Sequence, residues 1–200
     1  MKRIFASFLI ILFFFTSLSS NAHAYSSDPE VFISEIIAEA KLILNSQDSK
    51  KIKAEKLSVI ALNTVDVKGI GYYTLGKKRK EITPEELKSY EAVFQNYFLK
   101  SFTSRLTDYS DPKIAVVSAE KTSEKYTIVK TMLLKTDKKP EVKIDWRVYT
   151  KDPNKPLIRD LIVEGLSLAR TQKEEFASIL STNNNDVNAL FIKLEEFINK

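Results

Sequence analysis

Three pairs of adjacent glutamates are the residues of this sequence that first suggest catalysis: Glu85-Glu86, Glu174-Glu175 and Glu195-Glu196. Paired carboxylates can act as general acid and base when they face each other across a substrate. Each pair lies in a segment with helical patterning, and adjacent residues of a helix point in different directions. We therefore interpret all three pairs as solvated helix surface, and a hydrolase that uses carboxylates alone stays only as an alternative.

Residues 1–24 have the pattern of a secretory signal peptide. Lys2 and Arg3 precede an apolar run over residues 4–18, and a small-residue cleavage site ends at Ala24. The apolar run is shorter than the roughly 20 residues of a membrane-spanning helix. We expect an exported, soluble protein with one domain over residues 25–200 and no membrane anchor.

The composition excludes several kinds of active site. The chain has no cysteine, and its one histidine, His23, leaves with the signal peptide. A Ser-His-Asp or Cys-His site and a histidine-ligated zinc site are therefore unavailable, so we predict neither an enzyme nor a metal site. Removal of Lys2 and Arg3 lowers the net charge from +5 to +3. This small excess is spread along the chain and gives little support to nucleic-acid binding.

The first half of the domain is predicted to be helical. Apolar residues recur at helical spacing from a capping box at Ser27 and Glu30 to about Asn45, and again over about 52–63. A glycine-rich stretch at 66–76 is expected to be bent or to form a short helix. A helix beginning at Thr83-Pro84-Glu85-Glu86 should run to about Leu106. Its apolar stripe is mostly aromatic: Leu87, Tyr90, Phe94, Tyr97, Phe98, Phe102 and Leu106.

The pattern changes to strands after Lys113. Four alternating runs, 114–120, 126–135, 141–150 and 157–163, are joined by short polar turns, so neighbouring strands should be antiparallel. Ser167 and Asp186 are suitable N-caps for two final helices. The predicted fold class is α+β, an antiparallel sheet of about four strands covered by amphipathic helices.

The junction between sheet and final helices resembles the MlaC family, periplasmic phospholipid-binding proteins also known as toluene-tolerance auxiliary components. The similarity begins with Val163-Glu164-Gly165-Leu166-Ser167-Leu168 and Arg170, and continues into Phe176-Ala177-Ser178-Ile179-Leu180. Other family-like features are Leu75-Gly76, the helix start at Thr83 and Lys193-Leu194-Glu195.

This resemblance implies a soluble periplasmic carrier with phospholipid as its cargo and no cofactor. The cargo would pass between an outer-membrane lipoprotein–porin complex and an inner-membrane ABC transporter, with transient docking at each membrane, and this would maintain outer-membrane lipid asymmetry. The resemblance also favours an apolar cavity between the sheet and the helices. The apolar residues chosen as candidate lining are Ile60, Tyr72, Phe94, Phe98, Phe102, Ile128, Met132, Ile144, Trp146, Ile162, Phe176 and Leu180. Each of them is also suited to an ordinary core.

Other interpretations stay open beside the carrier. The protein could be a periplasmic interaction module with a closed core and no lipid. The basic run Lys77–Lys80 is either a solvated connection or a patch that contacts anionic headgroups or an acidic partner. Glu164 and Arg170 could contact a headgroup, but we favour a structural role at the strand–helix junction.

Overall fold

The structure is a computed structural model that describes residues 24–108, 111–135 and 140–200. Residues 1–23 of the predicted signal peptide lie outside these ranges. In chain order the elements are α1 (Pro29–Asn45), α2 (Lys50–Thr64), α3 (Val67–Leu75), a 3₁₀ helix (Gly76–Lys80), α4 (Pro84–Leu106), β1 (Ile114–Ser123), β2 (Tyr126–Leu133), β3 (Val142–Tyr149), β4 (Leu157–Val163), β5 (Leu166–Ser167), α5 (Leu168–Thr182) and α6 (Val187–Ile198).

The sheet is antiparallel, and its strands lie side by side in chain order from β1 to β5. This confirms the predicted α+β class. The two-residue strand β5 was not predicted. It pairs with the end of β4 through a tight turn at Glu164 and Gly165, whose φ angles are 49° and 82°. Left-handed backbone at both turn positions is the geometry of a two-residue hairpin, which explains the glycine there.

The two faces of the sheet have different neighbours. Val129 lies opposite Trp146, and Trp146 lies opposite Leu161, so all three side chains point to one face. This inner face packs against α1, since Val129 and Val148 belong to the same buried cluster as Phe32 and other residues of α1. The opposite, outer face carries mostly charged side chains and a few apolar ones.

Most predicted helix starts are confirmed. Thr83 and Glu86 form a complete capping box at the start of α4, and the side chain of Ser167 caps α5. Asp186 caps α6. Each cap accepts hydrogen bonds from backbone amides that have no partner within the helix.

The predicted capping box at Ser27 is wrong. The N-cap of α1 is Asp28, whose carboxylate accepts hydrogen bonds from the amides of Glu30 and Val31 at 3.0 Å each. A carboxylate also interacts more favourably than a hydroxyl with the positive end of the helix dipole. Pro29 therefore occupies the first helical position, where its missing N–H costs nothing.

The glycine-rich stretch forms the nine-residue helix α3 followed by the 3₁₀ helix, as expected for a short helical passage. Gly71 lies where α3 meets α4. A Cβ atom at this position would lie 2.8 Å from the Phe94 ring. The absence of a side chain thus allows the two helices to approach closely.

The buried apolar residues form two separate clusters. The sheet-side core joins α1 and α2 to the inner face and contains Phe32, Ile33, Ile36, Leu44, Leu57, Ile60, Val129, Val148 and Ile158. The helical core joins α3, α4, α5 and α6 and contains Val67, Leu75, Tyr90, Phe94, Phe176, Leu180, Leu190 and Leu194. Because each core is made of different elements, the surface between them is a natural place for an opening.

Two consecutive residues of β4 connect the sheet to the helical core. Arg159 lies at a bulge and donates from Nε and Nη2 to the carboxylate of Asp66, each at 2.7 Å. Asp66 in turn caps α3. Asp160 is 4% exposed and accepts hydrogen bonds from the amide of Ala169 at 3.0 Å and the hydroxyl of Ser167 at 2.6 Å.

We expect Asp160→Ala to lower the free energy of unfolding by about 3 kcal/mol. The substitution leaves the buried Ala169 amide without its acceptor, and hydrogen bonds to charged groups contribute about 1.5–3 kcal/mol each. Urea unfolding followed by circular dichroism would measure the loss. The control is Asp145→Ala on β3, whose carboxylate makes no hydrogen bond or ion pair with the described residues and whose loss should cost about 0.5 kcal/mol or less. Equal losses in the two variants would contradict this role for Asp160.

Candidate functional site

The boundary between the two cores lies along α4 at Phe98 and Phe102. Phe98 packs on the edge of the helical core, and Phe102 packs on the edge of the sheet-side core. The two rings stack with centroids 5.9 Å apart and an angle of 7° between their planes. Both side chains are only partly buried. We call this region the seam.

Trp146 and Leu161, on the inner face of β3 and β4, pack on the same sheet-side core as Phe102, so we take this face as the opposite side of the seam. Ile144, Trp146, Leu161 and Val163 lie there in register, and all four are partly buried. The Trp146 ring is held in place, because its Nε1 donates to Thr131 Oγ1 at 2.9 Å and Thr131 donates to the Ile144 carbonyl at 2.9 Å. The seam therefore has apolar side chains on both sides, each with some surface uncovered.

The course of α4 explains why these side chains stay partly uncovered. The backbone of α4 runs alongside α2, α3 and α6. Among its C-terminal residues, Phe102 and Leu106 reach the sheet-side core through their side chains. A helix whose backbone lay on the inner face would have covered Trp146 and Leu161 fully.

In contrast, the N-terminal half of α4 is tightly packed. Phe94 is 3% exposed and lies between Tyr90, at a centroid distance of 5.6 Å, and Phe176, at 6.2 Å. The buried Tyr90 hydroxyl donates to the Gly71 carbonyl at 3.1 Å and lies 3.0 Å from the Thr74 hydroxyl. Burial raises the pKa of Tyr90 above its ordinary value, so this hydroxyl stays neutral and keeps donating.

The structure separates the twelve candidate lining residues into four groups. Phe98, Phe102, Ile144 and Trp146 lie at the seam. Ile60 lies within the sheet-side core, and Phe94, Phe176 and Leu180 lie within the helical core. Tyr72 lies on α3, where its hydroxyl donates to Glu91. The last group, Ile128, Met132 and Ile162, is on the outer face.

The strand register explains the position of this last group. Ile128 lies opposite Arg147, and Met132 lies opposite Lys143. Ile162 lies opposite Asp145. These three apolar residues therefore share a face with charged residues, away from the seam, and we leave them out of the lining proposed below.

Sequence reasoning missed Leu161 and Val163 of β4. The signal that could have found them is alternation along this strand. Ile162 lies two residues after Asp160 and must share its face, whereas Leu161 and Val163 point the other way. The bulge beside Arg159 obscured the pattern, because it shifts the alternation by one residue.

Two shallow pockets of the described part of the chain lie beside α3, and neither is lined by a seam residue. The smaller, of about 110 Å³, lies between α3 and α4. At its edge Lys68 Nζ is 3.0 Å from Glu91, which also accepts from the Tyr72 hydroxyl. The hydrogen bond from Tyr72 lowers the pKa of Glu91, and the hydrogen bond to Glu91 raises the pKa of Lys68. Both groups therefore stay charged near neutral pH.

The larger pocket is an open groove of about 740 Å³ between the 3₁₀ helix and α5. One wall carries Lys77–Lys80, and the other carries Lys173. Arg79 lies 5.3 Å above the Tyr72 ring, and Lys173 lies 4.9 Å above the Tyr73 ring. We call it the basic groove. The residues of the predicted basic patch thus line a concavity.

The glutamate pairs are placed as predicted for surface residues. Glu86 serves the capping box of α4, and Glu85, Glu174, Glu175, Glu195 and Glu196 are exposed. The described residues contain no group of three or more acidic or histidine side chains placed to hold a metal. In the same part of the chain, no helix is both long and apolar enough to cross a membrane.

Glu164 and Arg170 have local contacts. The Glu164 carboxylate accepts from the amide of Lys143, which extends the pairing of β3 with β4. This contact agrees with the favoured structural role of Glu164 at the strand–helix junction, while the carboxylate that accepts an amide at the N-terminus of α5 is that of Asp160. Arg170 is exposed at the first turn of α5, where its amide donates to Ser167.

Comparison with known proteins identifies the family. The model of the MlaC protein family matches residues 34–196. This chain belongs to the MlaC family. A similar solved structure is the phospholipid-binding protein from Ralstonia solanacearum in complex with a phospholipid, with a TM-score of 0.73 and 19% sequence identity. The match covers 86% of this chain and 97% of that chain, and it shows that the two share a fold.

The two halves of α4 should respond differently to truncation. We expect Phe94→Ala to lower the free energy of unfolding by about 3–5 kcal/mol, because it opens a cavity in a closed core. Phe102→Ala should cost about 1–2 kcal/mol, because its ring is only partly buried and loses less packing on truncation. Urea unfolding of both variants measures the difference. Losses of equal size would mean that the seam is packed as tightly as the helical core.

Proposed function

We propose that this protein is a soluble periplasmic carrier that binds a phospholipid with its acyl chains in the seam. The observation that carries the proposal is the row of partly buried apolar side chains on both sides of the seam, between two cores that are each well packed. Membership in the MlaC family supports it. So does the shared fold with a phospholipid-binding protein whose structure contains the lipid.

The energetics of the cargo favour an apolar site. Two acyl chains carry on the order of 30 methylene groups, and each contributes about 0.8 kcal/mol when it is removed from water. A carrier must therefore cover most of the chain length. It needs no nucleophile or metal for this purpose, and a binding protein rather than an enzyme is the function we infer.

The proposed lining differs from the one expected from the sequence. Its six residues are Phe98, Phe102, Ile144, Trp146, Leu161 and Val163. Residues of the closed cores shape the seam without contacting the cargo in this arrangement. An acyl chain entering between α4 and β3–β4 would cover the exposed parts of all six side chains.

The partners follow from the family. We propose that residues 1–24 direct export to the periplasm and that residues 25–200 form the carrier domain. The carrier would receive and deliver phospholipid at an inner-membrane ABC transporter and an outer-membrane lipoprotein–porin complex, docking transiently at each. This exchange would maintain the lipid asymmetry of the outer membrane.

Lipid content distinguishes a carrier from an interaction module with a closed core. We expect native mass spectrometry of residues 25–200, purified from the periplasm of a Gram-negative host, to show a mass increment that matches phospholipid. Organic extraction followed by lipid analysis should recover the same species. Consistently empty protein would contradict the carrier and support the module.

The single tryptophan of the chain reports directly on the seam. We expect phospholipid with brominated acyl chains to quench the fluorescence of Trp146 strongly, because bromine quenches indole at close contact and the ring borders the proposed site. The measurement is the emission of delipidated protein during titration with brominated and unbrominated lipid.

The matched control moves the reporter to the other face of the sheet. In Trp146→Phe/Ile128→Trp the only tryptophan lies on the outer face, opposite Arg147, and quenching should be much weaker. Quenching of equal strength at both positions would indicate lipid on the protein surface and would contradict binding in the seam.

A further inference from the structure

The basic groove contains positive charge that the described residues do not neutralise. Its lining includes Lys77, Lys78, Arg79, Lys80 and Lys173, and the only acidic residue in the lining is Glu81. Among these cations only Lys78 has a carboxylate nearby, at 3.5 Å from Glu81. Five lysines elsewhere in the described chain pair with carboxylates, in Lys41–Asp111, Lys50–Asp108, Lys56–Asp48, Lys130–Glu120 and Lys193–Glu196. Exposed lysines without such a partner in this part of the chain, such as Lys51, Lys121 and Lys151, are scattered, whereas those of the groove are concentrated on one concave surface.

The groove also holds its cations in position. The guanidinium of Arg79 and the ammonium of Lys173 lie over the rings of Tyr72 and Tyr73. A cation over an aromatic face is attracted to the ring without being neutralised. Gly76 lines the groove, and a Cβ atom there would lie 3.4 Å from the Lys173 side chain. The charged groups are thus arranged before any ligand binds, which lowers the entropic cost of binding.

The shape of the groove favours a narrow anionic chain. Cations face each other from the 3₁₀ helix and from α5, so a ligand between them contacts both walls. A flat bilayer surface would reach only the rim. The groove is open to solvent and has a volume of about 740 Å³, so a single phosphate ion would leave most of it empty.

We propose that the basic groove is the docking site for an acidic peptide segment of a partner protein. The carboxylates of the segment would lie between Lys77–Lys80 and Lys173, and its backbone would lie over Tyr72 and Tyr73. The groove borders the helical core and is lined by none of the six seam residues. Docking and lipid binding therefore use different surfaces, and this inference does not depend on the nature of the cargo.

The probe is a fluorescein-labelled peptide of alternating glutamate and serine, about ten residues long, which spans roughly 30 Å when extended. Fluorescence anisotropy at low and at physiological salt measures its binding to residues 25–200. We expect binding that weakens as salt rises, because screening shortens the reach of exposed charges. The same peptide with glutamine in place of glutamate should not bind. Equal binding of the two peptides would overturn the proposal.

Charge reversal locates the site. Lys77→Glu/Arg79→Glu/Lys80→Glu should weaken peptide binding roughly tenfold or more, since three attractive charges become repulsive. The matched control, Lys121→Glu/Lys125→Glu/Lys151→Glu, changes the net charge equally at exposed positions on β1 and in the turns after β1 and β3, and should leave binding within about twofold of wild type. Equal weakening in both triple variants would mean that peptide affinity depends only on the net charge of the protein, and it would contradict binding in the basic groove.

Two further measurements keep the test independent of folding and of membranes. Lys173→Gln, on the opposite wall, should also weaken binding, while circular dichroism and the lipid content stay as in wild type. Flotation with phosphatidylglycerol vesicles tests the alternative occupant. Vesicle binding that is lost in the groove triple variant, together with no binding of the acidic peptide, would assign the groove to a membrane surface and overturn the proposal.

Discussion

The bulge in β4 is the constraint on which the arrangement of sheet and helices depends. It places Arg159 and Asp160 so that one binds the cap of α3 and the other caps α5 directly. Asp160 accepts the Ala169 amide, which would otherwise be buried without a partner, and Arg159 binds the carboxylate of Asp66 that caps α3. Because α3 and α5 pack on each other and on α4, these two residues of one strand determine where the whole helical core sits relative to the sheet.

This attachment at one strand explains why the interior has two cores. The helical core is held beside β4, and α1 and α2 cover the inner face of the other strands. The helix α4 passes from one core towards the other, and Phe98 and Phe102 lie where it does so. Val65, directly after α2, also packs on both cores. Cores that were continuous would have been more stable, since the seam leaves apolar area uncovered. A protein that must take up and release an apolar ligand needs such a region, and the closed cores on each side keep the rest of the fold rigid.

The aromatic residues of α4 show how one helix serves both purposes. Tyr90 donates a hydrogen bond to the Gly71 carbonyl, and Phe94 packs against Phe176. A methyl group added at Gly71 would collide with the Phe94 ring. Phe98 and Phe102 continue the same stripe two turns later with fewer neighbours. In the basic groove beside α3 the aromatic rings have a different role, because Tyr72 and Tyr73 make cation–π contacts with Arg79 and Lys173. The proposed cargo site and the proposed docking site are therefore built on neighbouring helices and remain separate surfaces.

Local signals in the sequence determined the elements. Proline and capping residues predicted the start of α4, alternation predicted the strands, and Ser167 predicted the start of α5, because each of these signals depends on residues close together in the chain. Only the tertiary structure decided which apolar residues share a space. Ile128 and Trp146 look equally suitable in sequence, yet the register of β2 against β3 directs them to opposite faces. The bulge at Arg159 likewise brings Leu161 to the seam and Ile162 to the outer face. Alternation within one strand shows which of its residues share a face, but strand register and helix placement arise from contacts between distant segments, and these decide which face borders the seam.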